Sequence, residues 1–230
     1  MMPDTETPLT SIRARIQAAC AAAGRPPEAV TLLAVSKTRG ADEIAALADQ
    51  GQRHFGENYL QEALDKMPAL AGRGLIWHFI GPLQSNKTRD VAARFDWVHS
   101  VDRAKVARRL NDQRPAELPP LNVCLQVNVD DEDSKSGVPL AAVPALAGQF
   151  QDWPRLRLRG LMAIPRVDAE DGNRAAFQQL AMTLSHLRNT MPALDTLSMG
   201  MSADYPVAIE EGATLVRIGT ALFGPRPPKA

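Results

Sequence analysis

Cysteine is scarce in this sequence, and the residues that hold catalytic metals are not grouped. The two cysteines, Cys20 and Cys124, stand far apart in apolar surroundings and form no Cys-x-x-Cys pair. This spacing argues against a disulfide framework and a cysteine zinc site, so we expect two buried free thiols. The sequence has no His and carboxylate cluster with metal-ligand spacing and no Gly-x-Ser-x-Gly elbow. Zinc and serine hydrolases are therefore disfavoured.

The sequence also lacks an excess of charge and a long apolar run. Lys plus Arg and Asp plus Glu number 26 each, so the formal net charge is zero. No overall field then favours nucleic acid or an anionic membrane. The start, MMPDTETPLTS, is not a signal peptide, and no apolar run reaches the roughly 18 residues of a membrane span. We expect a cytoplasmic protein without nucleic-acid or membrane partners.

What the sequence does contain is a regular alternation of short apolar runs and longer amphipathic stretches, which is typical of parallel α/β architecture. The apolar runs predict eight strands, at residues 31–36, 53–56, 75–80, 97–101, 121–129, 158–163, 196–199 and 215–218. The stretches between them predict helices at residues 41–50, 58–70, 85–94, 102–112, 140–150, 174–190 and 204–211. One more helix, at residues 10–23, precedes the first strand. If the strands close into a barrel, this helix is expected to cover its floor, the end at which the strands begin.

Eight such units form either an open doubly wound sheet or a closed barrel. The turn after the first strand, Ser36 to Gly40, lacks the Gly-x-Gly-x-x-Gly fingerprint of the open sheets. The closed (β/α)8 TIM barrel is therefore favoured. We expect a single domain over residues 1–230, with residues 1–8 flexible, residues 225–230 as a tail and no second domain.

The first predicted strand runs directly into Lys37, at the barrel rim where active sites of this fold form. Partial desolvation lowers the pKa of a lysine from ~10.4 and exposes the lone pair that attacks an aldehyde. The alternative, from position alone, is a rim lysine that extends into water.

Two turns rich in glycine and hydroxyl groups follow the last two predicted strands, where barrels commonly bind phosphate. The first is residues 198–204, S-M-G-M-S-A-D; in the second, Gly219 permits close backbone approach and Thr220 offers a hydroxyl. Together with Lys37, these turns favour a phosphorylated aldehyde as cofactor. Asn58 is expected near the cofactor ring, and His78 either contacts a ligand or is a hydrogen-bonded core histidine. An acidic loop begins at Asp130, and Lys135 at its end could reach the mouth.

Six segments resemble the pyridoxal phosphate homeostasis proteins, an alanine racemase-like family also known as proline synthetase co-transcribed homologues. They are LLAVSKT (32–38), HFGENYLQE (54–62), WHFIGPLQSNK (77–87), QVNVDDEDSKSG (126–137), LRGLMAIP (158–165) and SMGMSADYPVAIEEGATLVRIGTALFG (198–224). They occur in order and span nearly the whole chain, from residue 32 to residue 224. The family usually has Lys-Pro where this chain has Arg39-Gly40, which we interpret as a change in a surface turn.

The resemblance implies a barrel of the alanine racemase N-terminal type that carries pyridoxal 5′-phosphate (PLP) as a Schiff base on Lys37. It implies that Ser202, Gly219 and Thr220 hold the phosphate, and that Arg217 faces the pyridine nitrogen, as in related fold type III racemases. The remaining expected cofactor contacts are Asn58, His78 and Met162. A guanidinium at that nitrogen weakens the ring as an electron sink.

The resemblance favours a PLP carrier that stores, buffers or delivers the cofactor over an enzyme. In fold type III racemases, a β-domain after the barrel supplies the second acid–base residue, and this sequence ends soon after its eighth predicted strand. The alternatives are an amino-acid racemase of weak or specialised activity and a barrel that acts on sugar phosphates. The expected partners are PLP and apo-forms of PLP-dependent enzymes, with the protein itself a monomer.

Overall fold

The apolar runs form strands that are covered on both sides, as expected for parallel sheets. The computed structural model describes residues 6–130, 136–166 and 169–225. Its strands are β1 (Thr31–Val35), β2 (His54–Glu57), β3 (Ile76–Phe79), β4 (Trp97–Val101), β5 (Leu121–Asn128), β6 (Val138–Pro139), β7 (Leu156–Ala163), β8 (Thr196–Ser198) and β9 (Leu215–Ile218). The eight predicted strands all form, with ends that differ by at most two residues.

Eight of these strands pair in parallel around a closed ring, and the short β6 adds to the outer end of β5. The ring runs β1, β2, β3, β4, β5, β7, β8, β9 and returns to β1. The β1–β9 pairing aligns Thr31 with Leu215 and Ala34 with Ile218. The predicted (β/α)8 barrel is therefore confirmed.

The helices lie between the strands, as the alternation predicts. They are α1 (Pro8–Ala22), α2 (Ala41–Asp49), α3 (Leu60–Lys66), α4 (Thr88–Arg94), α5 (Ala104–Gln113), α6 (Val143–Gly148), α7 (Arg174–Arg188), α8 (Tyr205–Glu210) and α9 (Thr220–Phe223). The helix expected at 58–70 changes to a 3-10 turn at Met67–Leu70, where Pro68 has no backbone N–H to donate. Within the described ranges, every helix is too short or too polar to cross a bilayer.

Helix α1 begins with a reciprocal cap and packs on the side of the barrel. The backbone N–H of Thr10 donates to the Thr7 hydroxyl at 3.2 Å, and the N–H of Thr7 donates to the Thr10 hydroxyl at 2.9 Å. The helix contacts α8 and α9, and Arg13 donates to the carbonyl of Gly51 before β2. Helix α1 was expected to cover the barrel floor, and its contacts place it beside α8 and α9 in the outer layer, with Arg13 reaching the floor at Gly51. Helix α9 after the last strand is a single turn, so α1 fills the vacant place in the outer layer.

The barrel has a large outer core and a small inner one. The outer core lies between the strands and the helices and includes Cys20. Cys20 and Cys124 are both free and buried, as expected. The separate inner core consists of Leu33, Ile80 and Leu215, with Val35 packed against them. Much of the remaining interior is polar, whereas Val, Ile and Leu usually fill such barrels.

We expect Gly160→Ala to destabilise the fold, because β7 and β8 approach too closely there for a side chain. A Cβ on Gly160 would lie 1.9 Å from the carbonyl oxygen of Thr196. Overpacking of this kind costs about 1–3 kcal/mol of unfolding free energy, measurable by urea denaturation. The matched control is Gly148→Ala in α6, where a Cβ meets nothing within 4 Å and the unfolding free energy should rise by about 0.4–1 kcal/mol. Equal stability of the two variants would contradict the tight β7–β8 contact.

Candidate functional site

The carboxyl ends of the strands surround a cavity of about 180 Å³. Six of the eight predicted site residues line it: Lys37, Asn58, Ser202, Arg217, Gly219 and Thr220. The other lining residues are Val35, Arg39, Ile80, Ile164 and Met201. The structure thus brings the predicted amine, the cation and both predicted phosphate turns around one small space.

The turn that carries Lys37 is fixed by backbone hydrogen bonds. The N–H of Ser36 donates to the carbonyl of Gly56 at 2.9 Å, and the N–H of Thr38 donates to a carboxylate oxygen of Glu62 at 2.9 Å. Thr38 has a positive φ of 63°, a conformation that is uncommon for a β-branched residue. These contacts set the point at which the Lys37 side chain leaves the barrel rim.

A buried lysine supports the same turn from below. The Lys66 ammonium donates to the carbonyls of Ser36 at 2.9 Å and Arg39 at 3.2 Å, and lies 2.7 Å from a carboxylate oxygen of Glu57. Burial raises the pKa of Glu57, and the Lys66 charge and the Ser36 hydroxyl oppose this rise. Sequence reasoning missed this pair. The available signal was Lys66 itself, which follows Ala63 and precedes Leu70 on the apolar face of its helix.

The turn that carries Ser202 is organised by Asp204. The Asp204 carboxylate accepts hydrogen bonds from the N–H of Met201 at 2.7 Å and from the side-chain amide of Asn173 at 2.8 Å. At Gly200 φ is +91°, and a Cβ there would lie 2.6 Å from the Cβ of Ala208. The closely packed turn leaves Ser202 exposed on the cavity side.

Arg217 reaches the cavity from the barrel interior and is only 4% exposed. Its guanidinium donates to the carbonyl and hydroxyl of Ser198 at 2.6 and 2.9 Å, and to the carbonyl of Ala163 at 2.8 Å. Burial lowers its pKa to about 10, which still leaves it charged at neutral pH. A buried cation held by neutral acceptors therefore forms part of the cavity wall.

Asn58 reaches the cavity because the loops after β2 and β3 touch. A Cβ on Gly81 would lie 2.1 Å from the carbonyl oxygen of Asn58, so only glycine allows this approach. The side-chain oxygen of Asn58 is buried and has no hydrogen-bond partner within the described ranges. An acceptor in this state is suited to a ligand that brings a donor.

Two predicted cofactor contacts, His78 and Met162, do not border this cavity. Both are fully buried. The ring nitrogens of His78 lie 2.9 Å from those of His54 and His99, so its core-histidine alternative describes it better. Met162 pairs in register with Ser198, one layer below the rim. His78 and Met162 therefore lie outside the wall of this cavity, and their contact with the cofactor stays a prediction.

Arg39 also differs from its expected place in a surface turn. Its side chain is only 8% exposed, and it donates to the carbonyls of Gly224 at 2.6 Å and Pro225 at 2.9 Å. It thus ties the cavity wall to the segment after α9. Lys135, which was expected to approach the mouth, lies outside the described residues.

A parallel barrel with an amine after its first strand and small-residue turns after its last two defines the alanine racemase N-terminal class. The family model for that domain, "Alanine racemase, N-terminal domain", matches residues 8–227. The chain is 54% identical over 229 residues to the pyridoxal phosphate homeostasis protein of Escherichia coli K12, with 98% of each chain covered. It is 59% identical over 219 residues to the protein of the same name from Pseudomonas aeruginosa PAO1, with 95% of this chain and 94% of that one covered.

Solved structures agree with these sequence relatives. The PipY protein of Synechococcus elongatus PCC7942 without PLP is 38% identical, with a TM-score of 0.84 over 94% of this chain and 98% of that chain. The structure of PipY with PLP bound gives a TM-score of 0.80 at the same identity, over 92% of this chain and all of that chain. The chain belongs to the pyridoxal phosphate homeostasis protein family.

We expect the buried histidines to make the fold sensitive to acid. Burial lowers the pKa of His54, His78 and His99, that of His99 to about 3. Because each folded-state pKa lies below the ordinary 6.5, the unfolded chain binds protons that the folded chain does not, and stability falls as pH drops below about 6.5. Each histidine contributes up to about 1.4 kcal/mol per pH unit.

Urea denaturation between about pH 6 and pH 4 measures this slope. His99→Gln should reduce it by about 1.4 kcal/mol per pH unit. His186→Gln, on the exposed side of α7, is the control and should leave the slope unchanged. A wild-type slope that His99→Gln does not alter would contradict a neutral buried His99.

Proposed function

We propose that this chain binds PLP as a Schiff base on Lys37 and stores, buffers or delivers it. The observation that carries the proposal is the convergence of Lys37, Arg217 and the turns of Ser202 and Gly219 around one cavity. The solved complex of PipY with PLP supports the same ligand class.

The cavity residues fit the parts of this cofactor. Ser202 and Thr220 offer hydroxyl donors, and Gly219 offers an open backbone, to the phosphate end. Arg217 supplies a fixed cation toward the pyridine nitrogen, and the unpartnered oxygen of Asn58 accepts from a ligand donor. A space of about 180 Å³ suits a single-ring ligand, since the pockets that bind drug-sized ligands measure roughly 300–1,000 Å³.

We propose a carrier in preference to a racemase because the relatives at 54% and 59% identity are named pyridoxal phosphate homeostasis proteins. Bound PLP supplies an electron sink for carbanions, which is strongest when its ring nitrogen is protonated. A guanidinium at that nitrogen only donates hydrogen bonds and keeps it unprotonated. Arg217 therefore makes the ring a weaker electron sink, a feature that this chain shares with the fold type III racemases.

We propose a single PLP-binding unit that acts as a monomer in the cytoplasm and supplies apo-forms of PLP-dependent enzymes. The formal net charge of zero gives no overall attraction to nucleic acids, which agrees with proteins as the partners that receive PLP. Light scattering of the PLP-loaded protein measures the oligomeric state, and a stable dimer would contradict this part.

We expect Lys37→Ala to abolish covalent retention of PLP. Without the amine the cofactor cannot form a Schiff base, so desalted protein should lose the visible absorption band of bound PLP. Borohydride reduction of the wild type followed by peptide mass spectrometry should place the added mass on the Lys37 peptide.

Lys105→Ala is the matched control, because Lys105 is exposed on α5 away from the cavity. It should retain the band in full. An unchanged band in Lys37→Ala, or reductive labelling of another lysine, would contradict the assignment of Lys37.

Exchange of substrate α-protons separates the carrier from the racemase. For PLP-loaded protein in D2O with a panel of amino acids, we expect α-deuterium incorporation no faster than with free PLP, because a carrier holds the cofactor without supplying an acid and a base to the substrate. NMR of the recovered amino acids measures the exchange. The Lys37→Ala variant is the background control, and exchange at ordinary enzymatic rates, about 1–10³ per second, would favour the racemase.

A further inference from the structure

A line of hydrogen-bonded side chains runs through the barrel interior from β2 to β9. The Nδ1 of His54 lies 2.9 Å from the Nε2 of His78, and the Nδ1 of His78 lies 2.9 Å from the Nε2 of His99. The Nδ1 of His99 lies 2.8 Å from the Ser198 hydroxyl, which accepts from Arg217 at 2.9 Å. This hydrogen-bonded line of side chains therefore ends at Arg217, the cation of the cavity wall. His54, at its other end, is only half-buried and borders a hollow that contains Arg159 and Asp195.

The direction of the hydrogen bonds follows from Arg217, which can only donate. Ser198 is fully buried, and its own hydroxyl proton needs an acceptor. The Nδ1 of His99 is the acceptor at hydrogen-bond distance. The reverse direction would leave that proton without a partner, at a cost of about 1–3 kcal/mol. His99 therefore carries its proton on Nε2.

The same reasoning passes along the chain. The Nε2–H of His99 donates to the Nδ1 of His78, and the Nε2–H of His78 donates to the Nδ1 of His54. All three rings then share one tautomer. Lowered pKa values, which result mainly from burial, keep the three rings neutral.

The common direction of these hydrogen bonds stabilises the buried positive charge of Arg217. Ser198 and each of the three histidines turn an acceptor atom toward the guanidinium and their own donated hydrogen away from it. Aligned bonds polarise one another, so the chain presents the negative end of a neutral dipole to the cation. The cation is thereby held without a carboxylate in hydrogen-bond contact among the described residues, and the charge of Asp204 acts on it from a longer distance.

We infer that Ser198 and His99 are positioning residues for Arg217, and that the three-histidine chain fixes the orientation and charge of the guanidinium which faces bound PLP. The inference rests on the proposed function for the identity of the ligand. The state of the histidines is a property of the protein alone, so it can be tested without PLP.

The first experiment is ¹⁵N NMR of histidine-labelled protein without PLP at neutral pH, which distinguishes the two neutral tautomers of each ring. His54, His78 and His99 should all appear as neutral Nε2–H rings in the wild type. In Ser198→Ala, His99 should lose its single tautomer. The matched control is Ser100→Ala, because Ser100 is also buried and its hydroxyl has no partner among the described residues. A charged ring or an Nδ1–H ring in the wild type would overturn the inference.

The second experiment measures PLP. Ser198→Ala should release PLP about tenfold faster than wild type on dilution, and should shift the visible band of bound PLP, because the guanidinium loses a charge-assisted hydrogen bond. Ser100→Ala should match the wild type, and Ser198→Thr, which keeps the hydroxyl, should restore most of the retention. Wild-type release and spectrum in Ser198→Ala would overturn the positioning role. A wild type that binds no PLP would refute the proposed function and leave the NMR test of the histidine chain intact.

Discussion

The closure of the barrel between its first and last strands is the constraint on which the site depends. Strands β1 and β9 come from opposite ends of the sequence and pair in parallel, so both end at the same rim. Lys37, just after β1, and Gly219, just after β9, are brought together by this pairing alone. The approach is close, since a Cβ on Gly219 would lie 3.4 Å from the carbonyl oxygen of Val35. Without this closure the amine and the proposed phosphate turn, which are far apart in the sequence, would not lie next to each other in space.

Closure also creates an interior that must accommodate a charged guanidinium. A buried ion without compensation is costly, so the interior supplies carbonyls, a hydroxyl and a line of imidazoles around Arg217. Among the described residues, the buried apolar cluster inside the barrel is small and consists of Leu33, Ile80 and Leu215. Most of the hydrophobic stabilisation must then come from the outer layer of strands and helices. The inner space is thus organised by polarity and the outer space by apolar packing.

The sequence was sufficient for the fold and for most of the cavity wall, because both depend on local periodicity and on where strands end. The sequence was not sufficient to predict how far below the barrel rim each side chain lies. His78 and Arg217 both stand one residue before the last of their strands, yet only Arg217 reaches the cavity. That difference depends on side-chain length and on the stagger of neighbouring strands, which is set by the whole ring. Arg39 was misjudged for a similar reason, since the carbonyls that bury it come from Gly224 and Pro225 at the far end of the chain.

The side chains that hold the two cavity turns in place share one feature, which is relevant to a protein that binds and releases a cofactor. The Lys37 turn is held by Lys66 and Glu62, and the Ser202 turn by Asp204; these three side chains do not line the cavity. Since their hydrogen bonds form within the protein alone, cofactor entry and departure need little rearrangement of the frame. In the proposed function, the contacts that change are then those of Lys37, Ser202 and Thr220, all of which are at least partly exposed. A rigid frame with a few accessible contacts is suited to a ligand that must be held and later released, because its affinity is set at the rim and not by folding around it.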